Sequence, residues 1–341
     1  MKKKIAFITP IYLPAHLYGS DTFVRCMAEE FASMRYHTSV ITSNALAPLY
    51  WYNPFLYSKR IIRPYEVIGN VRVYRLPCRQ LFSSTCYLLK TLGRPFFPAN
   101  IREKLDILYA GPALAGLDRL LYREQFDVIH CSPFPLYINK QVRDIVRGLS
   151  KKPKVIVTPF FHTKVHDYAN KELGSLLRSA DSVHAVTSAE KRDMIRIHGV
   201  RPSAIVVIPL FLNMQQLHKG EDLQSDVSEF KKRYALQHKK IVLFAGLKGW
   251  MKGAIDVLHA VYEMQKRNKD VALVAMGHNT KEWEEAKRGL DTSFLVDLGY
   301  KEGKEKEVVF ASCDVYSMPS KSDSFGLVYL EAWHKKKPVI A

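Results

Sequence analysis

Residues 320–341 read SKSDSFGLVYLEAWHKKKPVIA, and this stretch decides the fold. An apolar run separates two acids, Asp323 and Glu331, and a strand-like PVIA follows. Pro319 and Ser320 close a preceding strand, polar residues come next, and a helix is predicted to begin near Gly326. The first-turn N–H groups of such a helix lack partners within it and sit at the positive end of its dipole. Asp323 then lies on the loop just before the helix, and Glu331 about a turn and a half inside it. Gly326 lets a ligand approach the backbone closely. Two carboxylates beside a pair of exposed amides suit a hydroxyl-rich molecule such as a nucleotide sugar. On spacing alone, a capped helix with an ordinary acidic residue is the favoured description.

Units of the same kind extend in the N-terminal direction. β-Branched runs occur at 4–9, 38–42, 126–132, 154–160, 182–187 and 204–209, and again at 241–246, 271–277, 294–299, 314–319 and 338–341. Helix-period stretches lie between most of them. Two examples are 21–34 and 188–199, the second with Ser188 as its expected cap and Gly199 as its stop. Strands apolar on both faces, separated by helices, form parallel sheets covered on both sides. A polar stretch, 213–240, interrupts the rhythm. Two α/β domains, 1–210 and 211–341, are therefore expected. Ligands of such sheets sit beyond the carboxyl ends of strands, so two facing sheets make a cleft. Residues 46–100 do not fit the alternation and are rich in Tyr, Phe, Pro and Arg. Within them EVIGNVRVYRL (66–76) predicts a hairpin turning at Gly69-Asn70. The remainder reads as an elaborated loop region on the first domain.

Composition narrows the partners. The 341 residues carry 51 Lys+Arg against 33 Asp+Glu, a net charge of +18, which favours nucleic acid, acidic lipid or phosphorylated substrates. A 47% hydrophobic and 25% charged chain is globular. Cys26, Cys78, Cys86, Cys131 and Cys313 are scattered without CxxC spacing, which argues against a disulfide framework or zinc knuckle and fits a reducing cytoplasm. The opening MKKKIAFITPIYLP imitates a signal peptide, but Pro10 interrupts its apolar segment and no small-residue cleavage site follows. No apolar run approaches membrane-span length. No helix-turn-helix, RRM, KH or zinc-finger pattern supports a nucleic-acid partner. The first β–α turn has no GxGxxG, which argues against a dehydrogenase.

The order of the pieces is more specific than any one of them. Residues 319–341 resemble the donor-site motif of the GT-B retaining glycosyltransferases known as "glycosyl transferases group 1". VLFAGLKGWMKGAIDVLHAV (242–261) is similar to that family's Gly-Arg…Lys-Gly loop and helix. VALVAMGHN, FLVDLGY and ASCDVYSMPS resemble its later strands. In the first half, residues 8–42 are similar to its first strand, glycine loop and second strand, and VTPFFH (157–162) to a strand ending in an active-site His. The resemblance runs in order from residue 4 to 341. It implies a GT-B fold of two doubly wound Rossmann-like domains facing a cleft, and a hexosyl transfer from a nucleotide diphosphate sugar to a hydroxyl acceptor.

Carried onto this sequence, the resemblance implies specific roles. Glu331 hydrogen-bonds the donor ribose. Asp323 and the amides of Phe325 and Gly326 hold the transferred sugar. Lys252 neutralises the diphosphate, which the loop at Tyr18-Gly19-Ser20 also approaches through backbone N–H groups. His162 faces the reacting carbon, and His130 is a weaker candidate. No metal or cofactor beyond the donor sugar is expected. The sequence also departs from the family pattern. The first acid is Asp rather than Glu, and Leu247 stands where an Arg binds the diphosphate, so Lys252, with Lys248, is left to carry that charge. Members of the family also continue past KPVIA, so the second domain is expected to be incomplete. The leading expectation is an enzyme. A catalytically impaired sugar-nucleotide binder is the alternative, and a nucleic-acid-binding protein a remote one. Arginines at 60, 63, 72, 75 and 79, beside Tyr50, Trp51, Tyr52, Phe55 and Tyr57, suggest docking to an anionic membrane surface on its cytoplasmic face and a lipid-linked acceptor. A packed insertion with a solvated basic face reads equally well.

Overall fold

A computed structural model describes residues 2–15, 19–53, 59–93, 96–134, 136–161, 170–212, 222–267 and 270–341. The chain divides into two α/β units, 1–210 and 211–341. The first contains β1 (Lys4–Ile8), α1 (Gly19–Ser33), β2 (His37–Ser43), β3 (Tyr65–Ile68), β4 (Val71–Leu76), α2 (Gln80–Gly93), α3 (Ala99–Tyr109), α4 (Leu117–Glu124), β5 (Val128–Cys131), α5 (Tyr137–Gly148), β6 (Lys154–Val157), α6 (Lys171–Ser179), β7 (Ser182–Ala185), α7 (Ser188–His198) and β8 (Ile205–Val207). Its eight strands run β3-β4-β2-β1-β5-β6-β7-β8. β3 is antiparallel to β4, and the other pairs are parallel.

The second unit contains α8 (Gln224–Arg233), β9 (Lys240–Ala245), α9 (Ala254–Arg267), β10 (Val271–Met276), α10 (Lys281–Ala286), β11 (Leu295–Leu298), α11 (Gly303–Ser312), β12 (Val315–Ser317), α12 (Leu327–His334) and β13 (Val339–Ile340). Its parallel sheet runs β11-β10-β9-β12-β13. β10 is buried at every position, as a central strand covered on both faces must be. α9 buries Ala254, Val257, Leu258 and Val261, the i, i+3, i+4, i+7 stripe of a helix lying on a sheet. Each such Val or Leu contributes about 1.5–3 kcal/mol of burial.

Three local expectations change. The hairpin at Gly69-Asn70 forms, with Ile68 opposite Val71, but residues 80–93 are helical, as α2, rather than loop. Tyr50 and Trp51 are not surface aromatics. They pack with Ile11, Ala15 and Ala45 in a small core of their own, and Arg75 is buried against Glu66. Phe55 and Tyr57 lie outside the described residues. α7 is capped by Thr187 rather than Ser188: its Oγ1 accepts from Glu190 N–H at 3.0 Å. The helix ends at Gly199 in the left-handed region, φ +60°.

Candidate functional site

β9 and β12 are sheet neighbours although β10 and β11 separate them in sequence. The chain winds outward from β9 to β11 and then crosses back to β12. The loops leaving the carboxyl ends of β9 and β12 therefore diverge at a switch point, where open α/β sheets place ligands. Those loops are fastened together. Lys321 N–H donates to Met251 O at 2.9 Å, and Ser320 Oγ to the same carbonyl at 3.3 Å. Gly253, at φ +73°, ends the first loop, and a Cβ there would stand 2.4 Å from Pro319 O. Any side chain at 253 would force the two loops apart.

Lys252 and Asp323 meet across this junction, with Nζ 2.7 Å from Oδ2, and Nζ also donates to Ser322 O at 3.3 Å. Both side chains are partly exposed, so solvent screens the pair and its net contribution is at most about 1 kcal/mol. Its consequence is positional: a cation and an anion are held at the end of the sheet. Gly326 caps α12 at φ +81°, and a Cβ there would come 2.4 Å from the ring of Tyr329. Tyr329 OH donates to Met318 O at 2.7 Å and keeps that ring in place. The fold itself thus demands glycine at 326, and the side the Cβ would take is filled by Tyr329 rather than left open. Phe325 and Gly326 sit at the amino end of α12, whose first-turn N–H groups have no acceptor inside the helix.

Glu331 lies inside α12. Its Oε1 accepts from Lys306 Nζ, on α11, at 2.6 Å. Its Oε2 is buried and finds no hydrogen-bond partner among the described residues. A buried acceptor without a donor costs free energy that a bound hydroxyl recovers.

The two residues before this constellation separate cleanly. Lys248 is wholly buried and bonds Asn279 Oδ1 at 2.7 Å, Asp297 Oδ1 and Leu298 O. Burial pulls its ammonium below the usual lysine range. Burial of Asp297 is outweighed by hydrogen bonds from Lys248, Lys287 and Trp283, which hold its carboxyl below the usual range. Lys248 is therefore committed to a structural network and is not the second diphosphate cation expected from the sequence. Leu247 is 55% exposed and does not belong to the core. Sequence reasoning also missed His278 and Tyr300. They follow β10 and β11, and their rings stack with centroids 5.2 Å apart and planes 2° from parallel. Each comes directly after a glycine that closes a strand, and that was the available signal.

In the first unit, Gly19 opens α1, and a Cβ there would meet nothing within 4 Å. Beside it Asp21 is buried and accepts from Thr9 Oγ1, just past β1, at 2.7 Å. His162 and Tyr18 lie outside the described residues. His130 is buried, with Nε2 2.6 Å from Thr158 Oγ1 and its ring edge-on to Phe7 and Phe23. Burial pushes it down to about 3, which favours the neutral imidazole. Glu190 was not anticipated. Its carboxylate accepts from Phe161 N–H at 2.6 Å and Val186 N–H at 2.5 Å, tying the segment after β6 to the end of β7. Burial raises it to about 7. Among the described residues no group of three or more His, Cys, Asp or Glu stands together to hold a metal ion. No helix among them is long and apolar enough to cross a membrane.

Known proteins share this fold. Residues 19–210 match the family model "Glycosyl transferase 4-like domain", and residues 238–341 match "Glycosyl transferases group 1". A D-inositol 3-phosphate glycosyltransferase of Corynebacterium aurimucosum is 27% identical over 247 residues, 69% of this chain and 55% of that protein. Its counterpart in Corynebacterium diphtheriae is 28% identical over 175 residues, 49% of this chain and 41% of that protein. The chain thus spans about half the length of these curated relatives. Among solved structures, HepE of Anabaena in complex with UDP superposes with a TM-score of 0.66 at 16% identity, over 99% of this chain and 80% of HepE. Sucrose-phosphate synthase of Thermosynechococcus elongatus gives 0.67 at 17%, over 99% and 80%. The chain therefore belongs to the GT-B glycosyltransferases, with a glycosyl transferase 4-like domain followed by a group 1 domain.

Proposed function

We propose that the protein is a retaining hexosyltransferase that moves a sugar from a nucleotide diphosphate to a hydroxyl acceptor, which is a glycan, a lipid-linked sugar or a small molecule. The observation that carries this reading is the buried Oε2 of Glu331, which has no partner among the described residues and is an acceptor suited to a donor hydroxyl such as that of ribose. HepE has been solved with UDP-glucose, and starch synthase IV with ADP and acarbose, which supports a nucleotide-sugar donor here. In this reading Lys252 turns from Asp323 to the diphosphate and stabilises the charge that develops on the leaving group. Asp323 and the amides at the start of α12 then hold the sugar hydroxyls. Gly19, at the amino end of α1, suits a phosphate, and His162 is assigned to the reacting carbon. The stacked His278 and Tyr300 offer an aromatic face for the base.

Charge supplied by Lys252 and helix amino ends makes the transfer metal-independent, with no cofactor besides the donor and no nucleic-acid partner. The five free cysteines suit a cytoplasmic protein. The test is incubation with UDP-, GDP- and ADP-sugars and hydroxyl acceptors, following nucleoside diphosphate release and the anomeric configuration of the product by NMR. Release with retained configuration is expected. An inverted product contradicts retention, and the absence of both release and binding contradicts the donor reading. Binding without release supports the alternative of an impaired sugar-nucleotide binder, which the exposed Leu247 in place of a cation favours.

A further inference from the structure

α2 is folded inside out. Gln80 Nε2 donates to the carbonyls of Tyr50 and Asn53 at 2.6 and 2.9 Å, Ser84 Oγ donates to Tyr52 O, and Ser83 and Cys86 are buried. Polar and small side chains thus make the face that packs on the first domain. The opposite face presents Leu81, Leu88, Leu89 and Leu92, exposed by 75%, 54%, 44% and 70%. At helical spacing these four leucines share an arc of roughly 100°. Phe96, 84% exposed, extends the surface just past the helix. A helix on a globular domain ordinarily turns such a stripe inward, and a contiguous apolar surface left outside marks an interaction site.

The surrounding charge selects the partner. No acid occurs between Glu66 and Glu103, while Arg79 directly precedes α2 and Arg102 lies in α3. Arg79 and Arg102 are exposed. A leucine-lined protein groove would use the apolar face alone, whereas an anionic bilayer engages the face and the exposed cations of this acid-free segment together. We propose that α2 lies flat on an anionic membrane, its leucines at the headgroup–acyl boundary and Arg79 and Arg102 against lipid phosphates. The expected aromatics at 50 and 51 take no part, because they are packed inside. This surface is independent of the donor reading: loss of nucleotide binding would leave it intact, and the converse also holds.

Co-sedimentation of the whole chain with phosphatidylcholine vesicles, with and without phosphatidylglycerol, tests the proposal. The wild type is expected to pellet with the anionic vesicles and to be released as salt rises. The double variant Leu88→Ser/Leu92→Ser is expected to lose binding at least about tenfold. Its circular dichroism and melting temperature should match the wild type, since both replaced side chains are exposed. Leu89→Trp should add a fluorescence signal that brominated lipid quenches. Equal binding to both vesicle types, or undiminished binding by the double variant, would overturn membrane docking. So would a concentration-dependent dimer that the double variant abolishes, because the face would then belong to a second copy of the chain.

Discussion

The ammonium of Lys252 lies 2.7 Å from the carboxylate of Asp323, and through that pair the loop after β9 is joined to the loop after β12. In the proposed donor site the acid does two opposing things to a nucleotide sugar. It masks the cation that the diphosphate needs, and it supplies an acceptor that the sugar hydroxyls need. Asp323→Ala should leave the affinity for the bare nucleoside diphosphate unchanged or tighter. Affinity for the matching nucleotide sugar should fall roughly tenfold or more, the loss of a hydrogen bond to a charged group. Calorimetric titration of both ligands into both proteins makes the comparison. Equal weakening of the two would remove Asp323 from the sugar.

Lys252→Ala should act on rate more than on ground-state binding, because charge on the leaving diphosphate is greatest in the transition state. A loss on the order of a hundredfold in kcat, with a much smaller change in donor affinity, is expected. Single-turnover kinetics at saturating donor separates the two. A change confined to KM would identify uniform binding instead.

Leu247 and Lys248 should respond in opposite ways. Leu247 is exposed, so Leu247→Arg should fold with an unchanged melting temperature. A guanidinium that reaches the diphosphate should tighten nucleotide-sugar binding about tenfold. Lys248→Ala removes a buried partner of Asp297 and should destabilise the second domain by roughly 3 kcal/mol. Unchanged affinity in folded Leu247→Arg would show that this loop does not approach the diphosphate.

Glu190 gives the first domain a pH-dependent term. Its carboxyl is raised by burial to about 7. The folded state therefore holds a proton that the unfolded chain releases near 4.5, the ordinary value. That favourable term is complete below about pH 4.5 and is lost as pH rises to about 7, an amount of order 3 kcal/mol. Glu190→Gln cannot ionise. Its melting temperature minus that of the wild type should climb between about pH 5 and pH 7, then level off. A flat difference would mean that the carboxylate is already ionised in the folded state at low pH.

The placement of the candidate residues on the fold was legible where its determinants are local. A strand, a polar loop, a glycine and an apolar helix placed Asp323 before α12 and Glu331 inside it, because backbone periodicity alone sets those positions. The sequence assigned Lys252 to the diphosphate with Lys248 as its companion, and nothing local marked Lys248 as buried. What divides them is Asp297, 49 residues beyond Lys248, whose carboxylate claims one ammonium and leaves the other at the end of the sheet. The region 46–100 failed for a related reason. Tyr50 and Trp51 are buried in a small core, and the leucines of α2 point outward, so hydrophobicity reported the wrong side of these elements. The pairing of Glu190 with Phe161 also depends on tertiary contact, between residues 29 positions apart.

The most direct test is the titration of UDP-, GDP- and ADP-sugars into the wild type and into Glu331→Gln, with the melting temperature of each protein measured alongside. At least one nucleotide sugar should bind the wild type and raise its melting temperature. The same ligand should bind the folded Glu331→Gln variant roughly tenfold or more weakly, since the neutral amide is a poorer acceptor for a ribose hydroxyl. No binding by any of the donors, or equal affinity in the two proteins, would contradict a donor site built around Glu331.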